Sequence, residues 1–226
     1  MILLAIDTVA DLCTACVWDG DPQRELGRCV RDIGKGHAEV LMAVIDEALA
    51  AAGRTYADLG AVAVAVGPGS FTGIRVGVAA ARGLALALSV PSAGVSTLDA
   101  LAEDARAAFP GRAVLVALDA RREEFYVAAQ GPDTAAPAEP RRVRLPEAVA
   151  LARQGRPVLA GSGAATVAQA AGGGFDLAAQ AATADVATYA RLAARRGFSG
   201  ERPRPLYLRD ADARPQQGFA LPRKDA

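Results

Sequence analysis

The sequence is poor in the residues that most often carry chemistry. It has one histidine, His37, among 226 residues, so neither a His-x-x-x-His motif nor any two-histidine metal site can form. A Ser-His-Asp triad would have to recruit that imidazole from the start of a helix, and no nucleophile elbow accompanies it. The three cysteines, Cys13, Cys16 and Cys29, are an odd number and argue against a disulfide framework. Cys13 and Cys16 have C-x-x-C spacing, but three positions apart on a strand they fall on opposite faces, which suits buried small hydrophobes and not a shared metal. Aromatic residues make up 5% of the chain and hydrophobic residues 52%, so the core must be filled by Ala, Val and Leu. Charge is balanced at 25 basic and 25 acidic residues, leaving no global field for nucleic acid, although a local patch remains compatible with this. The apolar N-terminal run lacks a basic flank and meets Asp7 early, so no signal peptide is expected. No apolar span of about 18 residues escapes interruption by Arg or Pro, so no transmembrane helix and a cytoplasmic location are expected.

What is present centres on one stretch. Ala61 to Val66 is a short apolar run that predicts a buried strand. Gly67-Pro68-Gly69 breaks it, and Ser70 or Thr72 can cap a helix that runs to about Ser89, where Val90-Pro91 ends it. Gly73, Gly77, Ala81 and Ala85 are four apart and lie along one side of this helix. Gly73, Gly77 and Gly83 cost together about 3 kcal/mol against alanine, which makes sense if another backbone approaches closely. Arg75 and Arg82 share a single narrow polar stripe, and the remaining circumference is apolar. Either both faces are buried within the chain, or one docks another protein.

The rest of the chain predicts strands at Ile2–Ile6, Leu12–Trp18 and Arg24–Arg31, then a helix from His37 to about Ala52. That helix has an apolar face of Leu41, Ile45, Ala48, Leu49 and Ala52, with Val40 and Val44 as surplus. A helix over Thr97 to about Phe109 follows the central unit. The pattern then restarts with strands at Ala113–Leu118, Glu124–Gln130 and Arg142–Leu145, a helix at Pro146–Gln154, and a strand at Pro157–Ala160. Gly161-Ser162-Gly163 leads into another helix, and Val186–Arg196 is the last. The prolines of Arg202-Pro203-Arg204-Pro205 hold the tail extended. The order strand-strand-strand-helix-strand-helix thus appears twice, with Asp7 and Asp119 closing the first strand of each set, which predicts a repeated α/β unit with a cleft between its halves.

Such a cleft suggests a nucleotide, but the signals are weak. Gly67-x-Gly69 before a helix could hold a phosphate; the Rossmann spacing would need glycine at Thr72, and a P-loop would need a lysine that is not nearby. Asp7 and Asp119 are scanty ligands for Mg²⁺. The pattern is that of a catalytic fold without catalytic groups.

Ala5-Ile6-Asp7-Thr8, Gly36-His37-Ala38-Glu39-Val40-Leu41, Gly67 to Gly77 and Gly94-Val95-Ser96-Thr97-Leu98 stay in register with one known pattern. So do Asp119-Ala120-Arg121-Arg122 and Pro205-Leu206-Tyr207-Leu208-Arg209. In these motifs the chain resembles the bacterial TsaB (YeaZ-type) family. The resemblance implies an α/β, actin/sugar-kinase-like (ASKHA) fold with two related subdomains: 1–109 with the docking helices, and 110–226 with an extended tail able to return to the first. It implies a non-catalytic subunit of the apparatus that places a threonylcarbamoyl group on N6 of the adenosine beside the tRNA anticodon. The partners it implies are a TsaD-like catalytic paralogue and a TsaE-like ATPase, with a homodimer when alone, tRNA reached only through the complex, and no membrane. On this resemblance the docking face comprises His37, Val40, Leu41, Val44, Phe71, Gly73, Ile74, Gly77, Val78 and Ala81. A vestigial nucleotide site would comprise Asp7, Thr8, Gly67, Gly69, Ser70, Asp119, Arg121, Gly161 and Gly163. No metal or cofactor is expected on the chain alone, ATP or ADP entering only in the assembled complex. Two departures support this. Val9 stands where the family usually has serine, and Arg121 stands where kinases of the fold have a phosphate-loop glycine. The alternatives are an active ASKHA-fold small-molecule kinase or ATPase, which would turn over nucleotide alone, and a metallopeptidase, which the missing histidines contradict.

Overall fold

Two β-sheets, each begun by an antiparallel meander and extended by parallel pairing, two strands in the first and one in the second, organise the computed structural model, which describes residues 1–132, 139–198 and 200–208. The first holds β1 (Ile2–Asp7), β2 (Leu12–Asp19), β3 (Arg24–Asp32), β4 (Ala61–Ala65) and β5 (Ser92–Val95) in the order β3-β2-β1-β4-β5. The second holds β6 (Val114–Asp119), β7 (Glu124–Gln130), β8 (Arg141–Arg144) and β9 (Val158–Ala160) in the order β8-β7-β6-β9. β1 pairs antiparallel with β2 and parallel with β4, and β6 repeats this with β7 and β9. The chain has an α/β, actin/sugar-kinase-like fold built from this repeat.

The helices are α1 (His37–Ala51), α2 (Phe71–Leu88), α3 (Thr97–Ala108), α4 (Leu145–Arg153), α5 (Ala164–Ala170) and α6 (Val186–Arg196). In α1, His37, Leu41, Val44, Ile45, Ala48 and Leu49 recur at helical spacing and are buried. Ser70 caps α2 by accepting from the Gly73 N–H, and Ser89 ends the helix in the left-handed region at φ 57°. By length and a mean hydropathy of 1.4, α2 alone among the described helices is long and apolar enough to cross a membrane. Sequence reading discounted the stretch because of Arg75 and Arg82. In the fold it lies on a sheet, with Gly73, Ile74, Gly77, Val78, Ala81 and Ala85 buried.

The structure is five layers deep. α1 packs over β2 and β3, and α2 over β4, while α6 packs on the same sheet, which is why Leu3, Leu4, Ala5 and Ile6 of β1 are all fully buried. In the second sheet the strand alternation separates two sets. Val114, Val116 and Leu118 join the large core with α3, and Leu115 and Ala117 join a smaller one with α4 and α5. The helices are therefore exchanged: α3, which precedes residue 109, sits on the second sheet, and α6, near the end, sits on the first. The division at residues 109/110 separates the strands of the two sheets and not their helices.

Charges tie α3 to α6 where they meet. Arg195 forks onto Glu103 at 2.6 and 2.9 Å, and this contact, with Arg106, holds the Glu103 carboxyl at about 2. Buried Asp99 takes Arg196 at 3.0 Å and the Gln130 amide of β7 at 3.4 Å. Asp99→Ala strips a charged acceptor from both and should lower stability by about 1.5–3 kcal/mol in urea titration. An unchanged midpoint would mean that water serves Arg196 equally well.

Candidate functional site

A cleft of about 820 Å³ opens at the carboxyl ends of β1 and β6, the position where open α/β sheets bind ligands. Val9 to Asp11 and Gly69 to Phe71 line one wall, Leu118 to Arg121, Tyr126 and Ser162 the other, and Leu206 to Leu208 of the tail run along it. The Leu206 N–H donates to the Val66 carbonyl just past β4 at 2.8 Å, which holds the described part of the tail beside the first sheet. Arg209 lies outside the described residues.

The two acids that looked equivalent in sequence are placed differently. Asp7 is 1% exposed and is not part of the cleft wall. Its Oδ1 accepts from the Val9 N–H at 2.9 Å and its Oδ2 from the Thr183 hydroxyl at 2.5 Å, while Thr183 Oγ1 also lies 2.6 Å from the Tyr189 hydroxyl. Burial pushes the Asp7 carboxyl up to about 6, against the opposing pull of those hydrogen bonds and of His37. Asp119, by contrast, is exposed on the wall; its Oδ1 accepts from the Arg121 N–H at 2.7 Å and its own N–H donates to Ser162 Oγ at 3.1 Å. Arg121, Arg122 and Glu123 follow in the left-handed region at φ 64°, 55° and 60°.

The glycines serve packing. A Cβ on Gly73 would lie 1.9 Å from the Thr8 carbonyl oxygen, one on Gly77 2.4 Å from Thr8 Oγ1, and one on Gly69 2.3 Å from the Val9 carbonyl oxygen. Thr8, itself fully buried, donates from Oγ1 to the Gly73 carbonyl at 2.7 Å. Close approach by another backbone was the right reading of the small-residue ladder, but that backbone is the chain's own first loop. Gly161 is likewise pressed on the Ala117 carbonyl, and Gly163 on the Phe125 ring and the same carbonyl. Gly67, at φ 95°, faces Ile74, which lines the cleft.

The first-loop acid is sealed under Thr183 and so is withdrawn from any metal in the cleft, and two donors at the start of α2 are committed, Ser70 N–H to the Val9 carbonyl at 2.7 Å and Gly73 N–H to Ser70 Oγ at 3.3 Å. The structure also brings Lys35, distant in sequence from these loops, to the cleft wall along with Arg121. Among the described residues no group of three or more His, Cys, Asp or Glu could hold a metal ion.

The expected docking residues need correction. His37, Leu41, Val44, Gly73, Ile74, Gly77, Val78 and Ala81 are buried within their own chain, because they form the inner faces of α1 and α2. His37 Nε2 donates to the Leu12 carbonyl at 3.2 Å. Only Val40, half-buried, and Phe71, 47% exposed, reach the surface. The outward side of the two helices presents Met42, Ala43, Val76, Ala79, Gly83 and Ala87 instead. Sequence reasoning also missed Thr183 and Tyr189, since a threonine 176 residues from its carboxylate gives no local signal.

A doubled α/β core with a cleft at the ends of β1 and β6 defines the actin/sugar-kinase class. The sequence model of the TsaD family, described as tRNA N6-adenosine threonylcarbamoyltransferase, matches residues 31–150, and the chain belongs to that family as a TsaB/YeaZ-type member. It is 38% identical over 127 residues to the tRNA threonylcarbamoyladenosine biosynthesis protein TsaB of Escherichia coli, a match covering 56% of this chain and 53% of that one. It is 33% identical over 126 residues to TsaB of Haemophilus influenzae, covering 56% and 52%. The chain spans about half the length of the curated relatives it matches. Among solved structures, an uncharacterized Pseudomonas aeruginosa protein with similarity to peptidase YEAZ superposes with a TM-score of 0.77 at 29% identity, covering 92% of this chain and 99% of that one. YeaZ from the same organism gives 0.74 at 26% identity over the same shares.

Proposed function

We propose that this chain is a cytoplasmic, non-catalytic subunit in the biosynthesis of threonylcarbamoyladenosine on tRNA. It docks a TsaD-like catalytic paralogue, pairs with itself when that paralogue is absent, and meets a TsaE-like ATPase and the tRNA within the assembly. The reading takes its pathway from the names of the curated relatives. The observation that supports the non-catalytic part is Asp7, one of the two strand-end acids beside the cleft, which is buried and closed off by Thr183. The single histidine is spent on a backbone carbonyl, and ATP or ADP is expected only where the assembly supplies further groups. For docking we assign the outward side of α1 and α2, where exposed Met42, Ala43, Ala79, Leu86 and Ala87 form the apolar part among Glu39, Asp46 and Glu47 of α1 and the arginines of α2.

Reconstitution tests this reading. Omitting the chain from a mixture of the TsaD-like and TsaE-like proteins of the same organism, tRNA, ATP and the threonylcarbamoyl donor should abolish modification. His37→Ala, Ser70→Ala and Asp119→Ala should retain most of it once saturating protein restores the complex, whereas an essential acid or base contributes about 10²–10⁴-fold. A variant that assembles normally by sedimentation and stays inactive at saturation would overturn the proposal, as would ATP turnover that follows the isolated chain through chromatography.

A further inference from the structure

The flank where the tail lies beside α2 collects four arginines against one exposed acid, Glu201. From Leu59 to Leu98 the sequence contains no Asp or Glu, and its two charges are Arg75 and Arg82. Seven residues apart, these two lie on one stripe about 10 Å long. The tail adds Arg202 and Arg204, both exposed, while Pro203 between them is buried near Gly94, so the two arginines face away from the sheet together. Arg82 and Arg202 border one hollow of about 470 Å³. Among the described residues none of these four arginines pairs with a carboxylate, in contrast to Arg28, Arg31, Arg106, Arg112, Arg191, Arg195 and Arg196.

Two half-exposed rings continue the line. Arg75 Cζ lies 3.7 Å above the Phe71 ring and its Nε donates to the Tyr207 hydroxyl at 2.8 Å. The Phe71 and Tyr207 rings, 47% and 44% exposed, stand 5.2 Å apart. We infer that this flank binds single-stranded RNA directly, its arginines taking backbone phosphates and the Phe71–Arg75–Tyr207 group stacking a base. A polyanion with π faces uses both halves of the surface; an acidic peptide would leave the rings idle. The stripe faces the tail and adjoins the side assigned to docking, since Ala79 lies between Arg75 and Arg82 at helical spacing and Gly83 borders the same hollow as Arg82 and Arg202. The inference rests on the proposed function, to which it adds an RNA contact made by this chain itself.

The test uses the whole chain with a fluorescein-labelled single-stranded RNA of about 15 nucleotides, long enough to span several phosphate contacts, and with an unmodified tRNA transcript. Four phosphate contacts give a log–log salt slope near −3, so affinity should fall roughly 50-fold between about 50 and 200 mM salt. Arg82→Glu with Arg202→Glu and Arg204→Glu should weaken binding at least about tenfold and flatten the slope toward −1. Arg→Gln at the same positions gives the same reading should the glutamates disturb the tail. Phe71→Ala with Tyr207→Ala should lose about tenfold with the slope unchanged. Absence of RNA binding by the parent chain at low salt overturns the inference, as do variants that bind like the parent, or capture by anionic phospholipid vesicles without RNA. Because no other subunit is present, failure here with a full requirement in reconstitution refutes this inference alone. Dispensability in reconstitution with RNA binding intact refutes only the functional reading.

Discussion

Gly73→Ala should destabilise the chain by about 3 kcal/mol or more, at the upper end of overpacking effects. The added methyl would sit 1.9 Å from the Thr8 carbonyl oxygen, with backbone on both sides of the contact. Relief would require β1 and α2 to part, which would also break the Thr8 hydroxyl bond to the Gly73 carbonyl and the Ser70 N–H bond to the Val9 carbonyl. Gly77→Leu meets the Thr8 hydroxyl in the same way and should unfold the chain before it affects any association. Gly83→Ala is the internal control. Nothing lies within 4 Å of its Cβ, and alanine is the better helix former, so it should gain up to about 1 kcal/mol. Thermal and urea melts of the three variants decide this. A folded Gly73→Ala chain with parental stability would show that the loop after β1 yields freely.

Asp7→Asn should stabilise the chain at neutral pH and remove part of its pH dependence. A carboxyl near 3.8 when unfolded and about 6 when folded keeps its proton more tightly in the native state. The stability it provides is therefore fully present below pH 3.8, declines as pH rises toward 6, and is constant above that. The loss by neutral pH is about 3 kcal/mol. Asparagine carries no charge to desolvate. Its oxygen can still accept from the Val9 N–H and its amide can donate to Thr183 Oγ1, whose hydroxyl then turns toward Tyr189. Urea titrations of both proteins between about pH 4 and 8 should show the parent falling relative to the variant across that window. Parallel curves would mean that Asp7 titrates alike in both states, and a destabilised variant at pH 7 would mean that the ionised carboxylate is the better partner for Thr183.

Local pattern carried most of the fold because β1, β4 and β6 are apolar runs and the long helices have consistent faces with recognisable ends. β5 was not legible: Ser92-Ala93-Gly94-Val95 has no strand composition, and only its parallel pairing with β4 makes it a strand. The short 3₁₀ turn at Tyr56–Asp58 was missed for a similar reason, its capping box being held by Thr55 and Asp58 alone. At the cleft, sequence marked the right loops and misjudged their direction. A helical wheel shows that a residue is apolar or small, but not which of two apolar faces meets the sheet, so Leu41, Val44 and Val78 were assigned outward and lie inward. The ladder glycines announced a close neighbour, and nothing within α2 could say that it was Thr8, 65 residues earlier. Asp7 and Asp119 looked alike because each ends a strand; what separates them is Thr183, delivered by the segment leading into α6.

The exchange of α3 and α6 between the sheets sets a schedule for the nascent chain. All five strands of the first sheet have been made by residue 95, yet the helix that covers one of its faces ends at residue 196. At about 5–20 residues per second, a ribosome needs roughly 5–20 s to cross that gap. Throughout it, an apolar sheet surface stands without its cover, while α3 waits for the strands of the second sheet. Neither half can complete its packing ahead of the other, and the stretch of synthesis between residues 95 and 196 is when the first sheet is least covered.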